Sequence, residues 1–326
     1  MSATAPGALA PPAGAGWGDE ADAILDGDVA TALAYLTPAR GAVVAPITTC
    51  GVRDREAGTV TFTTSLAFGR KLERMRREER VALAFHAREH GFAAGDAFVL
   101  VQGRATIGWT DRAAQGRALA EGMGRFFSPP KAGRFWRWWM HEYYVKRVPV
   151  TVAVERVATW PRADGAGTPA VHGTPLPAAP PPAQAEPRGG TASRLAARRA
   201  AARLRRLPHL LLGWADADGF PRVAPVGIAA TDRDGLALLD PAGSVPPGGR
   251  RAGLLGHRFG PELTALLARQ HTGWLESGGD GTIRYAPHTG QRYRTPRGRT
   301  ATALVNGGQA KLGMRRARRA GERTAG

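Results

Sequence analysis

Between residues 29 and 160 the chain carries short runs in which β-branched and apolar residues alternate with polar ones, the mark of half-buried strands. Val29 to Leu36 and Ala42 to Thr49 are two such runs, joined by Thr37-Pro38-Ala39-Arg40-Gly41, which reads as a hairpin connection. Thr59 to Thr63 is a third, Val81 to His86 and Ala97 to Ile107 follow, and Val145 to Trp160 closes the set. Helical spacing interrupts this pattern. Trp17 to Leu25 reads as a short helix with negative charge from Asp19 and Glu20 near its start, where it suits the dipole. After the third strand, Leu72, Met75 and Val81 fall near one helix face. Thr110-Asp111 caps a helix from Arg112 to about Glu121, and another helical piece covers Gly133 to Tyr143.

From residue 162 to 206 the pattern lapses. Arg162 to about Gly190 is Pro/Ala/Gly-rich with Pro180-Pro181-Pro182 at its centre, an extended linker, and Ser193 to Arg206 is an Ala/Arg helix. The strand pattern then starts again. Leu210 to Trp214, a turn at Asp216-Ala217-Asp218-Gly219, and Phe220 to Ile228 form a second hairpin whose Val223-Ala224-Pro225-Val226 echoes Val44-Ala45-Pro46-Ile47. Gly235 to Leu239 parallels Gly58 to Phe62, and Gly249-Arg250-Arg251 parallels Gly69-Arg70-Lys71. Recurrence of order and spacing predicts a second, diverged copy of the first domain. The expected organisation is a leader at 1–16, a first domain at 17–161, a linker and basic helix at 162–206, a second domain at 207–310 and a basic tail at 311–326.

Chemistry concentrates between the third strand and the helix after it. Thr63, Thr64, Ser65, Gly69, Arg70 and Lys71 place hydroxyls, free backbone N–H groups and two cations at a helix start, a plausible phosphate seat. A solvated polar turn is the alternative. This stretch, in its strand order, resembles the pyridoxamine 5'-phosphate oxidase-like superfamily, the FMN-binding split barrels. Phe62, Thr63, Thr64 and Ser65 are similar to its Phe-Ser/Thr-Thr-Ser strand end, and Gly69, Arg70 and Lys71 to its Ser-Arg-Lys helix start. One extra residue precedes Arg70, Gly69 stands where a serine is usual, and Phe98 stands where a polar residue often faces the flavin.

The resemblance spans roughly residues 18 to 160. It implies a mainly β fold with flanking helices, two tandem split β-barrels, and FMN as cofactor, with the deazaflavin F420 as alternative and haem third. Haem would need an axial ligand, for which His86, His90, His141 and His257 are conceivable. It further implies an oxidoreductase acting on a small molecule, with Thr63, Thr64, Ser65, Arg70 and Lys71 holding the cofactor and catalytic residues unassigned. A ligand-binding protein without turnover is the alternative. Because such barrels pair around the flavin, two in one chain imply an intrachain pseudo-dimer or a homodimer. The arginine and histidine that hold pyridoxal phosphate in the true oxidases are not recognisable.

The second copy lacks this seat, since Asp240-Pro241 stand where the first has Thr63-Thr64. Its own signature is His271-Thr272 and His288-Thr289, which either converge on a ligand or pin a strand pair. No cysteine or carboxylate cluster completes a metal site there. Phe126, Phe127, Phe135, Trp136, Trp138, Trp139, Tyr143 and Tyr144 crowd one span among Arg and Lys, as a barrel cover or a stacking surface.

Composition changes this picture little. The net charge of +18 comes from arginine, with only four lysines among 45 basic residues, and in an Ala/Gly/Pro-rich chain it ranks nucleic acid last among partners. The lone Cys50 rules out an intrachain disulfide and fits a reducing compartment. Met1 to Gly16 lacks a signal-peptide core and no stretch has the apolar length of a membrane span, so a cytoplasmic location is expected.

Overall fold

The computed structural model describes residues 16–319; most of the expected leader and the end of the basic tail lie outside them. The first half runs α1 (Asp19–Gly27), β1 (Ala30–Leu36), β2 (Ala42–Ile47), β3 (Arg53–Asp54), β4 (Thr59–Ser65), a 3-10 turn (Leu66–Phe68), α2 (Gly69–Arg77), β5 (Arg80–Ala87), β6 (Phe98–Ile107), α3 (Arg112–Phe126), α4 (Arg134–Tyr144) and β7 (Arg147–Trp160). The linker contributes β8 (Ala170–Gly173), which pairs with β7, so part of a segment expected to be free of sheet is tied to it. The second half runs α5 (Ala197–Leu204), β9 (His209–Ala215), β10 (Pro221–Pro225), β11 (Gly227–Thr231), β12 (Leu236–Leu239), β13 (Gly248–Arg258), β14 (Leu267–Ser277), β15 (Ile283–Arg294) and α6 (Arg299–Arg319).

Two antiparallel sheets result, ordered β2-β1-β5-β6-β7-β4-β3 and β10-β9-β13-β14-β15-β12-β11. Replacing each strand of the first by its counterpart in the second gives the same path. The fold is therefore two tandem split barrels with flanking helices. The register carries the repeat to single residues. Leu33 pairs with Leu83 and Ala45, as Leu212 pairs with Leu254 and Ala224. The last two long strands of each barrel also share a bulge, between Gln102 and Gly103 in one and Thr272 and Gly273 in the other. Glycine is required there, because a Cβ at Gly103 would overlap the carbonyl oxygen of Ala153, and one at Gly273 that of Ala286.

Each barrel has its own core. Leu33, Phe62, Leu72, Met75, Val81, Phe85, Val99 and Val157 are buried in the first with Trp17, Ile24 and Leu25 of α1. Leu212, Trp214, Leu236, Leu254, Leu275 and Tyr285 fill the second under α5. The opposite, alanine-rich face of the first sheet, with Ala32, Ala34, Ala82, Ala84 and Leu100, packs on Leu211, Val223, Leu255 and Ala268 of the second. Small side chains let the sheets approach closely, so this contact carries its own apolar core.

The contacts between barrels are reciprocal. The register equates His86 with His257, and these two touch. It likewise equates Arg80 with Arg251: Arg251 packs on Gly41 in one hairpin turn, and Arg80 donates to the Asp218 carbonyl in the other at 3.0 Å. Buried Arg156 donates to Gln102 Oε1 and to the Asp218 carboxylate, while Gln102 donates to the Pro221 carbonyl at 2.6 Å.

Three sequence expectations change. Val81 lies in β5, not on the helix face with Leu72 and Met75. The helix from Arg112 runs on to Phe126. Gly249-Arg250-Arg251 lies inside β13, where the register matches it to Glu78-Glu79-Arg80 and not to the start of α2. Among the described residues the second barrel has no counterpart of α2: Pro241, Pro246 and Pro247 between β12 and β13 withhold the N–H groups a helix would use.

Candidate functional site

β4 ends against β7, with Ser65 opposite Arg147 and Thr63 opposite Pro149. The chain then turns through Leu66–Phe68 into α2, whose start has no side-chain cap, so its first N–H groups are free of side-chain acceptors. The five residues expected to form the seat take different positions around this turn. Ser65 Oγ accepts from Ala67 N at 3.1 Å, shaping the turn. Thr63 Oγ1 accepts from Arg147 Nε at 2.9 Å, and its carbonyl from the same guanidinium at 3.0 Å. Thr64 is buried and its hydroxyl has no partner. Arg70 is exposed near the helix start. Lys71 is half-buried, its ammonium 5.2 Å from the centre of the Phe68 ring.

Electrostatics single out Lys71. Burial, then the nearby Arg147 guanidinium, push it down to about 7. Among the described residues neither Lys71 nor Arg147 has a carboxylate partner. Two neighbouring cations and an uncapped helix start lack an anion, and the orphaned Thr64 hydroxyl lies on the strand end that leads into this turn. The residues present thus fit a phosphate group. Arg147, which stacks over Tyr143 at 5.2 Å, was not among the expected site residues. The basic pair Lys146-Arg147 opening the last strand was its only sequence signal, and pairing with β4 is what brings it to the turn.

The second half of the chain covers this region. α6 packs against the 3-10 turn and α4, where Gly307 admits Trp139 and Gly313 admits Ala67 without the clash a Cβ would make. Trp139 Nε1 donates to the Leu304 carbonyl at 3.1 Å, and Lys311 lies 4.3 Å from the Trp138 ring. Tyr293 of β15 donates to Asn306 Oδ1 at 3.0 Å and is pushed up to about 12 by burial and by Tyr143. Part of the aromatic span therefore serves as a cover. Phe135 and Trp138 remain more than half exposed.

The corresponding turn of the second barrel is filled by its own anion. Pairing of Leu236 with Tyr285, as of Val60 with Val152, sets Leu239, Asp240 and Pro241 opposite Thr63, Thr64 and Ser65, one residue from the spacing read in sequence. Asp240 accepts from Val245 N at 2.6 Å and Ala242 N at 3.2 Å, taking up N–H groups a phosphate would use.

The histidines do not gather at this site. His86 and His257 are buried between the barrels with Nε2 atoms 2.6 Å apart. His86 Nδ1 faces the Ala84 carbonyl at 3.0 Å, so it carries the proton there and Nε2 accepts from His257. His257 Nδ1 is then the acceptor left without a partner. Two nitrogens this close leave no room for a haem iron between them. Of the second barrel's pairs, Thr272 and Thr289 bond across β14 and β15 at 2.6 Å and His271 packs on Gly290, tying those strands, while His288 faces the carbonyl of Thr191 in the linker at 3.4 Å. Cys50 is buried, and burial pushes its thiol up.

No protein-family model matches the chain, and no curated protein matches it. Among solved structures it is similar to a Clostridium acetobutylicum protein related to general stress protein 26 of the pyridoxinephosphate oxidase family. That protein is 10% identical, with 47% of this chain and 90% of that one covered and a TM-score of 0.32. It is also similar to a FAD-binding protein from Mesorhizobium loti, 20% identical, covering 42% and 88% with a TM-score of 0.29. An F420 reductase is 16% identical, covering 42% and 94% with a TM-score of 0.30.

Proposed function

We propose that the first barrel binds the phosphate of a flavin-type cofactor, FMN or the deazaflavin F420, and that the protein is an oxidoreductase acting on a small molecule. The observation that carries this reading is the proximity of Lys71 and Arg147, two neighbouring cations without a carboxylate partner among the described residues, at the end of the strand that also carries the unpartnered Thr64 hydroxyl. Lys71 and Arg147 balance the phosphate charge, Thr64 donates a hydrogen bond, and the start of α2 offers N–H groups. Arg70 closes the solvent side. Thr63 and Ser65 act indirectly, the first by orienting Arg147 and the second by fixing the turn. The bound cofactor supplies the electron or hydride transfer; the protein supplies position, charge and exclusion of water.

The two barrels serve each other as the halves of an internal pair, a reading supported by the reciprocal His86–His257 and Arg80/Arg251 contacts. The second barrel contributes a wall through Tyr293 and α6, and its own seat has been given up to Asp240. A reducing cytoplasm suits the single buried thiol.

The test is the visible spectrum of the protein purified without added cofactor, followed by identification of the released chromophore. A flavin or deazaflavin that is lost from Lys71→Ala/Arg147→Ala is expected. A haem Soret band, or failure to bind both FMN and F420 on titration, overturns the reading.

A further inference from the structure

The inner faces of the two barrels differ most at one end. Following the register from Leu83 and Leu254, the first barrel's Phe85, Ala87, Val99 and Thr159 correspond to Gly256, Arg258, Arg269 and Arg292 of the second. In the first barrel, Phe85 and Val99 belong to a closed apolar core with Trp17, Ile24 and Leu25. In the second, the same end opens into a cavity of about 330 Å³ lined by Arg258, Arg269, Arg292, Arg294 and Arg297. Ala265, Leu267 and Thr295 complete the wall without adding a carboxylate.

The arrangement is costly as it stands. Arg269 and Arg292 sit directly opposite each other on β14 and β15, and like charges so placed repel. Arg294 and Arg258, both paired with Leu267, put two more guanidiniums on the same face. Arg269 is half-buried, its Nε is buried without a partner, and burial together with Arg203 and Arg292 holds it below the usual arginine range. Among the described residues none of the five forms an ion pair. Exposed arginines alone would be a solvated edge; an opposed pair with a desolvated, unpartnered nitrogen is instead a site short of negative charge.

We propose that the mouth of the second barrel binds a compact polyanion, a small molecule with three or more negative charges held close together. Planar guanidiniums suit phosphate or carboxylate oxygens in bidentate pairs, and the cavity has the volume of a small-ligand pocket. Triphosphate, the phosphate tail of a nucleotide and a tricarboxylate share this chemistry. The site is separate from the phosphate seat of the first barrel and does not depend on it.

Calorimetric titration of the full-length chain with inorganic triphosphate, citrate and orthophosphate, at an ionic strength near 0.15 M, tests the proposal. Triphosphate or citrate should bind at sub-millimolar concentration, the tighter of the two naming the oxygen chemistry, and orthophosphate should be at least tenfold weaker. Arg269→Leu/Arg292→Leu should lose at least tenfold, and so, to a lesser degree, should Arg292→Gln, whose exposed side chain leaves the core untouched. Arg198→Leu/Arg199→Leu, which removes the same charge from the exposed face of α5, should stay within twofold of the unaltered chain. Equal losses in the α5 control, or no loss at Arg269 and Arg292, would overturn the proposal. So would a short oligonucleotide binding more tightly than either small anion through the same two arginines.

Discussion

Lys71 holds a position that suits the free chain poorly and an anion-bound chain well. Its folded value of about 7 lies below the ordinary 10.5, so the unfolded chain binds the extra proton between those values. Its contribution to stability therefore improves as pH rises through that window and is least favourable below about 7. Part of the side chain meets solvent, which reduces the energetic effect. Lys71→Met should raise stability at pH 6.5 by on the order of 1 kcal/mol and leave it nearly unchanged at pH 10.5, as read by urea unfolding. For the unaltered chain, affinity for a phosphate ligand should fall as pH climbs from 6 to 8.5; a flat profile would remove Lys71 from the seat. The residues of this site were partly legible. Thr64 and Lys71 stand out in the sequence as a hydroxyl and a cation at a strand-to-helix turn. Arg147 does not, because 76 residues separate it from Lys71 and only the pairing of β4 with β7 joins them.

Strands were the elements most readily read, since period-two alternation between turn residues leaves few alternatives. The echo of Gly69-Arg70-Lys71 in Gly249-Arg250-Arg251 misled because three residues without a following helical pattern match a strand equally well; the prolines at 241, 246 and 247 were the contrary signal. The shared bulge gives a prediction at this scale. Gly103→Ala and Gly273→Ala should each cost about 2–4 kcal/mol, since the added methyl meets backbone and not a movable side chain. The matched positions should respond alike in chemical unfolding. The histidine pair gives another. Burial pushes His86 down to about 3 and holds His257 well below its usual value, so stability should drain away as pH falls from about 6.5 towards 3, where the unfolded chain takes up protons that the folded chain refuses. His86→Asn should flatten that part of the stability profile. A profile unchanged by the substitution would assign the acid sensitivity elsewhere.

At the scale of the whole molecule, the repeat could be read from sequence but its consequence could not: α6, at the far end of the chain, lies over α4 and the turn of the first barrel. Nothing in a basic, weakly patterned helix names its docking partner, which is set by where β15 delivers it. The contact between barrels depends on Arg156, buried with Gln102 and the Asp218 carboxylate. Arg156→Met should cost about 3 kcal/mol, because it leaves polar groups of both barrels unpaired, and should loosen the halves before either core melts. Limited proteolysis in the 162–206 segment would register that loosening. The central claim is that the first barrel seats a phosphorylated cofactor between Thr64, Lys71 and Arg147. Its most direct test is FMN and F420 affinity at pH 6.5 for the full-length chain and for Lys71→Ala/Arg147→Ala. The account predicts micromolar or tighter binding of one cofactor and at least a hundredfold loss in the double variant, about 3 kcal/mol. Equal affinity in the two proteins would contradict it.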